Sequence, residues 1–174
     1  MPLAFYFDQS RCTGCYTCVI ACKDWHDIPP GPVFFRRVIT KEQGRYPTVS
    51  VSFISTACHH CDEPRCVSAC PAGAIIKRAA DGIVVVDRES CLGSDTCGSA
   101  CRLACPYDAP QFGPEPDARM HKCDLCCDRW AEGKKPICVE ACPMRALDAG
   151  VRDELESKYG RVKDIAAFTV GKTE

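Results

Sequence analysis

The chain has 174 residues, a formal net charge of -1 and 17 cysteines. A net charge near zero by itself suggests no nucleic-acid-binding surface, and no apolar run approaches the roughly 18 residues of a membrane-spanning helix. Dense cysteines often indicate a disulfide scaffold, but the start, MPLAFYFDQSR, lacks the features of a secretory signal. We therefore expect a reducing, cytoplasmic setting and thiols that bind metal. Export together with a signal-bearing partner is the alternative.

The first group of cysteines follows AFYF at 4–7, which predicts a short strand. It reads Cys12-x2-Cys15-x2-Cys18-x3-Cys22, the spacing of a bacterial ferredoxin. Two-residue gaps let one loop place three thiolates on three corners of an iron–sulfur cube, and Gly14 supplies a residue that tolerates a positive φ. The fourth cysteine lies beyond the reach of that loop and is expected to serve a neighbouring cube. Zinc sites are usually built from separated pairs of ligands, so this run favours iron–sulfur clusters.

Residues 23–57 contain no cysteine. Within this segment FFRRVIT and VSVSFIST predict two strands, the second by its alternation of apolar and polar residues. The expected role is a small sheet or a surface for a partner.

The second and third groups are joined by a predicted hairpin, in which AGAII and IVVVD flank a turn at ADG. Each group ends in Cys-Pro, and the third has longer first and second gaps than the ferredoxin run. His59 and His60 lie between two ligands of the second group and are interpreted as outer-shell or solvated residues. The two groups are Cys58, Cys61, Cys66, Cys70 and Cys91, Cys97, Cys101, Cys105.

The fourth group again ends in Cys-Pro and contains a gap of eleven residues that predicts a helical turn or loop. Cys127, next to a predicted ligand, is interpreted as a spare buried thiol. Residues 151–160 predict a short helix that ends at Gly160, and the last 14 residues show no pattern. The fourth group is Cys123, Cys126, Cys138 and Cys142.

The sequences that flank the groups indicate how the groups pair. AFYFDQSRC before the first group matches IVVVDRESC before the third, and CPAGAI after the second matches CPMRAL after the fourth. Groups two and three therefore predict one two-cluster unit, inserted into a second unit that groups one and four share. Because the last cysteine of each run crosses to the other cube, four ligand sets follow. They are Cys12, Cys15, Cys18 with Cys142; Cys123, Cys126, Cys138 with Cys22; Cys58, Cys61, Cys66 with Cys105; and Cys91, Cys97, Cys101 with Cys70.

The predicted fold class is α+β, built from two ferredoxin-like units with short hairpins, short helices and many loops. Residues 1–57 and 111–150 form the split unit, with a small insertion at 23–57. Residues 58–110 form the inserted unit, and residues 151–174 form a C-terminal helix and tail.

Several segments resemble the iron–sulfur subunits of dimethyl sulfoxide reductase-type molybdenum enzymes, and the likeness extends over residues 4–150. They are FDQSRCTGCYTCVIACKDW, CHHCDEPRCVSACPAGAI, GIVVVD, CPYDAPQF and MHKCDLCCDRWAEGKKPICVEACPMRALDAG. The resemblance implies four [4Fe-4S] clusters and a non-catalytic, electron-transfer role beside a large molybdenum- or tungsten-pterin subunit, with a further redox subunit or ferredoxin-like carrier as a possible partner. The altered third group is also similar to small electron-transfer subunits of aldehyde:ferredoxin oxidoreductase-type tungsten enzymes.

Two alternative functions stay open: a free polyferredoxin, and a catalytic iron–sulfur protein. Catalysis at a metal needs an unfilled coordination position. Four cubes need sixteen protein ligands, and sixteen cysteines supply them all, so the catalytic alternative is disfavoured. Trp25, Phe34, Phe35 and Phe168 are predicted either to dock a partner or to cover the clusters. Basic residues near the cysteines are either ordinary surface or compensation for cluster charge. These are Lys23, Arg65, Lys77, Arg78, Arg102, Lys122, Arg129 and Arg145.

Overall fold

A computed structural model describes residues 1–160, in which all six strands pair as three separate two-stranded antiparallel sheets. The predicted strands at 4–7, in the cysteine-free segment and in the hairpin between groups two and three are confirmed. No helix in the described range is long and apolar enough to cross a bilayer. The strands are β1 Leu3–Phe7, β2 Arg36–Arg45, β3 Thr48–Ala57, β4 Ile75–Lys77, β5 Val84–Val86 and β6 Leu147–Val151.

The helices are short, and most of them begin or end beside a cysteine. One turn of 3-10 helix, Gln9–Arg11, precedes the first group. The α-helices are α1 Thr17–Trp25, α2 Arg65–Ser68, α3 Ser94–Cys97, α4 Ala100–Ala104, α5 Cys127–Ala131, α6 Ile137–Glu140 and α7 Arg152–Tyr159.

Two of the sheets are built in the same way. β1 pairs with β6, so that the start of the chain is paired with the segment after the fourth cysteine group. β4 pairs with β5 between groups two and three. In both sheets an aspartate follows one strand, and its backbone N–H donates a hydrogen bond of 2.8 Å to the carbonyl oxygen of an alanine. That alanine lies four residues after the cysteine of a Cys-Pro pair. The bonds are Asp8 to Ala146 and Asp87 to Ala74.

The same two aspartates shape the turn that leads into a cysteine group. Asp8 Oδ1 accepts a hydrogen bond from the Ser10 backbone N–H at 2.9 Å. Asp87 Oδ1 accepts one from the Glu89 N–H at 3.0 Å. Such Asx turns satisfy backbone donors that the strand can no longer pair. Each turn therefore delivers its next cysteine, Cys12 or Cys91, from an equivalent local structure.

The third sheet is the long hairpin of β2 and β3, which fills most of the cysteine-free segment. Its two strands pair from Arg36 with Ala57 out to Arg45 with Thr48. The base of the hairpin packs against the core, whereas its outer half is exposed. The predicted strands are thus correct, and the structure adds that half of the ribbon protrudes.

Helix α7 covers the sheet of β1 and β6. Leu155 is buried, and the Tyr159 ring stacks on the Tyr6 ring with centroids 3.8 Å apart. Tyr159 also donates from its hydroxyl to Asp148 on β6 at 2.7 Å. Lys135 and Lys158 pair with the same carboxylate, and these interactions hold the pKa of Asp148 below its usual value although burial opposes them. The predicted helix and its end at Gly160 are confirmed, while Phe168 and the predicted tail lie outside the described residues.

Candidate iron–sulfur cluster sites

One cavity of about 330 Å³ opens among cysteines of the first and fourth groups. Apolar side chains, including Phe7, Val38 and Leu147, form most of the rest of its wall. Groups that are far apart in the chain therefore meet here, because β1 and β6 pair beside them. The cysteines that line the cavity are Cys12, Cys15, Cys18 and Cys142.

A second cavity, of about 340 Å³, opens among cysteines of the second and third groups. Its wall is apolar too, with contributions from Ile75, Val86 and Met120. The cysteines that line it are Cys70, Cys91, Cys97 and Cys101. Both cavities contain three cysteines of one run and the last cysteine of another.

The remaining eight cysteines of the four groups line neither cavity. Five of them are buried, and Cys61, Cys66 and Cys105 are half-buried. Cys58, Cys105 and Cys123 pack in one hydrophobic cluster with Ala109. The pKa of Cys66 is raised to about 11, first by burial and then by neighbouring thiolates that include Cys58 and Cys105.

The other buried thiols of this region belong to the first and fourth groups. The pKa of Cys126 is raised to about 12, first by burial and then by the thiolate of Cys138, although a hydrogen bond with the Ile137 backbone lowers it. Burial and the thiolates of Cys138 and Cys126 raise the pKa of Cys22. Metal coordination is what converts such thiols to thiolate ligands, so loading and folding of this region are linked.

A left-handed residue recurs at one position of every cysteine group. The residue two places after the first cysteine has a positive φ: 68° at Gly14, 46° at His60, 92° at Gly93 and 60° at Leu125. Such a residue curls the loop so that successive backbone N–H groups face inward and form an anion-binding nest. Gly93 of the third group shares the positive φ, but its ψ of 162° and the helix that follows it show that this loop takes a different path.

Backbone donors also reach the cysteine sulfurs. One such bond of 3.4 Å is present in each of the four predicted ligand sets. Hydrogen bonds to ligand sulfurs are a means by which proteins adjust cluster potentials. The pairs are Ala109 N–H to Cys105 Sγ, Met120 N–H to Cys91 Sγ, Leu125 N–H to Cys123 Sγ and Ala146 N–H to Cys142 Sγ.

The donor set fits iron–sulfur clusters. Thiolates are soft ligands that suit such clusters, the two cavities are lined by apolar side chains, and N–H groups already point at sulfur. None of the seventeen cysteines, all of which lie within residues 1–160, forms a disulfide. The interpretation of the cysteines as metal ligands rather than a disulfide scaffold is therefore supported by geometry as well as by spacing.

The extra residues of the third group form the one-turn helix α3. Asp117 Oδ1 accepts hydrogen bonds from the backbone N–H groups of Asp95 and Thr96, both at 3.1 Å, and so satisfies two donors at the start of this helix. Gly93 precedes the helix with a φ of 92°, and a Cβ there would lie 2.5 Å from the Asp117 carbonyl oxygen. The loop thus depends on the lack of a side chain at Gly93.

We expect Gly93→Ala to lose the cluster beside Cys91, Cys97 and Cys101, because a positive φ and a clash with backbone act together. The measurement is iron per chain after anaerobic purification, which should fall by about four atoms, the content of one cube. The matched control is Gly98→Ala, since φ there is 63° but a Cβ at this position would meet nothing within 4 Å. Equal iron in Gly93→Ala and wild type would contradict this role of the glycine.

The two histidines of the second group differ. His59 stacks on Tyr107 with ring centroids 4.0 Å apart and is exposed, in agreement with the prediction. His60 is not solvated: it is 3% exposed, and its Nδ1 accepts a hydrogen bond from the Val84 N–H at 3.0 Å. Burial lowers the pKa of His60, which favours the neutral ring that this bond requires. Its left-handed backbone directs the ring inward, and periodicity gives no signal for that.

Cys127 is only half-buried rather than buried, and its Sγ donates to Asp124 Oδ2 at 3.6 Å. It lies outside both cavities. On the other side of Asp124, His26 Nε2 lies 3.4 Å from Cys126 Sγ and 3.8 Å from Asp124 Oδ1. These three side chains are close enough to share a metal ion, but Cys126 also belongs to a predicted ligand set. His26 is therefore best described as a neighbour of that ligand.

The basic residues near the cysteines do not form one class. Lys122 is buried and donates to the carbonyl oxygens of Val84 and Cys123, so it is not ordinary surface. Arg129 is also buried, and it pairs with Glu140. The others in the predicted set are intermediate or exposed.

The aromatic residues of the cysteine-free segment also differ in how deeply they are buried. Phe34 and Phe35 are half-buried and pack against core clusters that contain cysteines, which favours the covering role. Trp25 is partly exposed; its indole N–H donates to Asp128 at 3.0 Å and Arg129 stacks on its ring. The most exposed large hydrophobic side chain of the segment is Tyr46, at 93%, on the tip of the hairpin.

Comparison with known proteins agrees with this geometry. A family model described as a 4Fe-4S dicluster domain matches residues 49–152, and one described as a 4Fe-4S binding domain matches residues 5–24. The B chain of anaerobic dimethyl sulfoxide reductase from Escherichia coli K12 is 48% identical over 170 residues, which cover 93% of this chain and 80% of that protein.

Two further relatives belong to other enzymes. The electron transfer subunit of thiosulfate reductase from Salmonella typhi is 40% identical over 154 residues, covering 86% of this chain and 76% of that subunit. The B subunit of sulfite dehydrogenase from Allochromatium vinosum is 37% identical over 164 residues, covering 83% of this chain and 66% of that subunit.

Proposed function

This protein belongs to the family of iron–sulfur electron-transfer subunits that includes the B chain of dimethyl sulfoxide reductase, and from this premise we propose that it relays single electrons through four [4Fe-4S] clusters. It is a non-catalytic subunit of an oxidoreductase complex. The proposed partner is a large pterin subunit that contains molybdenum or tungsten.

One observation carries the proposed number of clusters. The sixteen cysteines divide into four proposed sets of four, and each proposed set has one 3.4 Å hydrogen bond from a backbone N–H to a sulfur. Four sites with four thiols each leave no iron position open for a substrate, so electron transfer is favoured over catalysis at a cluster.

The ligand sets and the nested units are part of the same proposal. The cavity that contains Cys12, Cys15, Cys18 and Cys142 supports the first set, and the cavity that contains Cys70 with Cys91, Cys97 and Cys101 supports the fourth. Equivalent hydrogen bonds after β1 and after β5 support two related units, of which the one at 58–110 is inserted into the other. The two inner sets rest on packing and on the mutual effects of their thiolates.

The same contacts support a linear order of the four sites. Among the groups that raise the pKa of Cys18, in the first set, is the thiolate of Cys138, in the second. The thiolate of Cys58, in the third set, likewise raises the pKa of Cys123, in the second. We propose that electrons pass through the sites in this order, or in the reverse order, with the two cavities at the ends.

The metal of the partner and the location of the complex are also proposals. The relatives named after dimethyl sulfoxide, thiosulfate and sulfite enzymes favour a dimethyl sulfoxide reductase-type partner. The likeness to tungsten enzymes of the aldehyde:ferredoxin oxidoreductase type stays a prediction, which metal analysis of the co-purified large subunit tests. A cytoplasmic location is proposed from the many free thiols, with co-export beside a signal-bearing partner as the alternative.

The number of clusters is tested by chemical analysis of the anaerobically purified chain. Iron and acid-labile sulfide should each reach about sixteen atoms per chain, because each cube contains four of each. A value near eight would contradict the four-site proposal. Visible absorption and a brown colour separate clusters from zinc.

A further inference from the structure

Arg36, the first residue of β2, is a buried cation. Its side chain is 3% exposed. One guanidinium nitrogen donates to Ser55 Oγ at 3.1 Å, and the buried Nε has no hydrogen-bond partner. Within residues 1–160 no carboxylate lies at ion-pair distance from it. Burying a cation in this way is costly unless negative charge lies nearby.

The other two buried cations are satisfied differently. Lys122 donates to two backbone carbonyl oxygens, and Arg129 pairs with Glu140 and donates to the Lys135 carbonyl oxygen. Arg36 therefore stands apart from them in the described part of the chain. Arginine stays protonated at every physiological pH, so its charge is permanent.

The surroundings of Arg36 are cysteine sulfurs. Ser55 Oγ, which binds the guanidinium, lies 3.5 Å from Cys18 Sγ. The guanidinium stacks 4.5 Å from the centroid of the Phe5 ring. Phe5 in turn packs against one hydrophobic cluster that contains Cys18 and Cys138 and another that contains Cys123.

The electrostatic neighbours of Arg36 agree with this packing. The four thiolates that act on it most strongly are, in order, Cys138, Cys123, Cys18 and Cys22. Three of them belong to the proposed set of Cys22, Cys123, Cys126 and Cys138. Cys18 belongs to the set of Cys12, Cys15 and Cys142. The guanidinium thus lies beside two of the four proposed sites.

We propose that the positive charge of Arg36 acts on both of these clusters and makes both easier to reduce. The proposal rests on the proposed function, since it requires clusters in both ligand sets. Reduction adds one electron, and so one negative charge, to a cluster whose thiolates already make it negative. A fixed cation nearby stabilises the reduced state more than the oxidised state. No proton is gained or lost by Arg36 in this step.

The effect of Arg36 on the reduction potential should differ from one cluster to another. It should be largest at the cluster of Cys22, Cys123, Cys126 and Cys138, which supplies three of the four thiolates that act most strongly on Arg36. It should be smaller at the cluster of Cys12, Cys15, Cys18 and Cys142. The cluster in the cavity of Cys70, Cys91, Cys97 and Cys101 should not respond, because none of its thiolates is among those neighbours.

The test is a redox titration of the full chain, followed by electron paramagnetic resonance, in Arg36→Gln, Arg36→Lys and Arg45→Gln. Arg45 lies exposed at the far end of the same strand, so Arg45→Gln removes one charge far from the sites. The signal that disappears in Cys126→Ser identifies the cluster expected to respond most. We expect Arg36→Gln to lower the equilibrium constant for reduction of this cluster at least tenfold. For a one-electron couple, that is a fall of about 59 mV in reduction potential. Arg36→Lys should stay within about threefold of wild type because it keeps the charge, and Arg45→Gln should match wild type.

Every result decides the proposal. Full iron with unchanged potentials in Arg36→Gln would overturn it, as would a uniform shift that includes the cluster of Cys70. Loss of iron in Arg36→Gln with full iron in Arg36→Lys supports a requirement for the charge. Loss in both variants would mean that the shape of arginine matters and would also overturn it. Wild-type iron well below about sixteen atoms refutes the four-cluster function itself, which is a separate outcome.

Discussion

Cys22→Ser is expected to destroy the cluster held by Cys123, Cys126 and Cys138, and to spare the cluster held by the other cysteines of its own run. Cys22 lies near the end of α1, which packs against α6, and Cys138 lies on α6. The thiol is buried, and the neighbouring thiolates that raise its pKa are Cys138 and Cys126. A serine there is a poor ligand for iron.

The measurement combines iron content with electron paramagnetic resonance. Iron should fall by about four atoms per chain, one cube of the proposed four. The matched control is Cys127→Ser, because Cys127 adjoins Cys126 but donates to Asp124 instead. The control should keep all iron and every signal. If Cys22→Ser and Cys12→Ser abolish the same signal, the crossed ligand sets are wrong.

A negative charge introduced by mutation into the outer half of the β2–β3 hairpin is expected to weaken binding of the catalytic partner by about 30-fold or more. Substitution of a central interface residue has an effect of this size. The outer half of the ribbon exposes Tyr46, Val49 and Val51, although exposed strands with apolar side chains are rarely left uncovered. Val49 and Val51 alternate with Ser50, so both point to one face of the ribbon.

The base of the same hairpin explains why a partner would bind there. Val38 and Ser55 line the cavity that contains Cys12, Cys15, Cys18 and Cys142. Phe53 lies against Gly14, where a Cβ would approach its ring to within 2.5 Å. A subunit that docks on the outer half of the ribbon is therefore held near a terminal cluster, which electron transfer between subunits requires.

The variants are Val51→Asp and Tyr46→Asp, compared with Ser50→Asp on the opposite face of the ribbon. All three positions are exposed, so folding and iron content should be unchanged. The measurement is the dissociation constant for the co-expressed large subunit, with retention on an affinity column as a first screen. A stable monomer that binds no large subunit, and exchanges electrons with small carriers only, would favour a free polyferredoxin instead.

Much of the site could be predicted from the sequence because cluster ligation is largely a local property. Spacings such as Cys12-x2-Cys15-x2-Cys18 limit how a loop can close around a cube, whatever surrounds it. The strands, and the aspartates after β1 and β5, are encoded over a few residues as well. The likeness of AFYFDQSRC to IVVVDRESC correctly indicated equivalent local structures, which the hydrogen bonds of Asp8 and Asp87 display.

Other features depend on contacts between residues that are distant in the chain. Nothing in a single sequence indicates that His60 and Leu125 take the left-handed backbone that Gly93 and Gly14 adopt easily. His60 is buried because its ring accepts a hydrogen bond from Val84, 24 residues away. Likewise, Phe34 and Phe35 were open to either interpretation until their packing favoured the covering role.

The sequence by itself determined which thiols are available as iron ligands and how they are spaced, since residue type and loop length are properties of consecutive positions. Only the tertiary structure decided which charges act on those thiols. Arg36 is separated from every cysteine by more than ten residues, so proximity in the sequence points to other basic residues instead. It lies close to Cys18 because the pairing of β2 with β3 brings its guanidinium to Ser55, whose hydroxyl also contacts Cys18 Sγ. Electrostatic effects depend on distance in space and on burial, neither of which is encoded in the spacing of a motif.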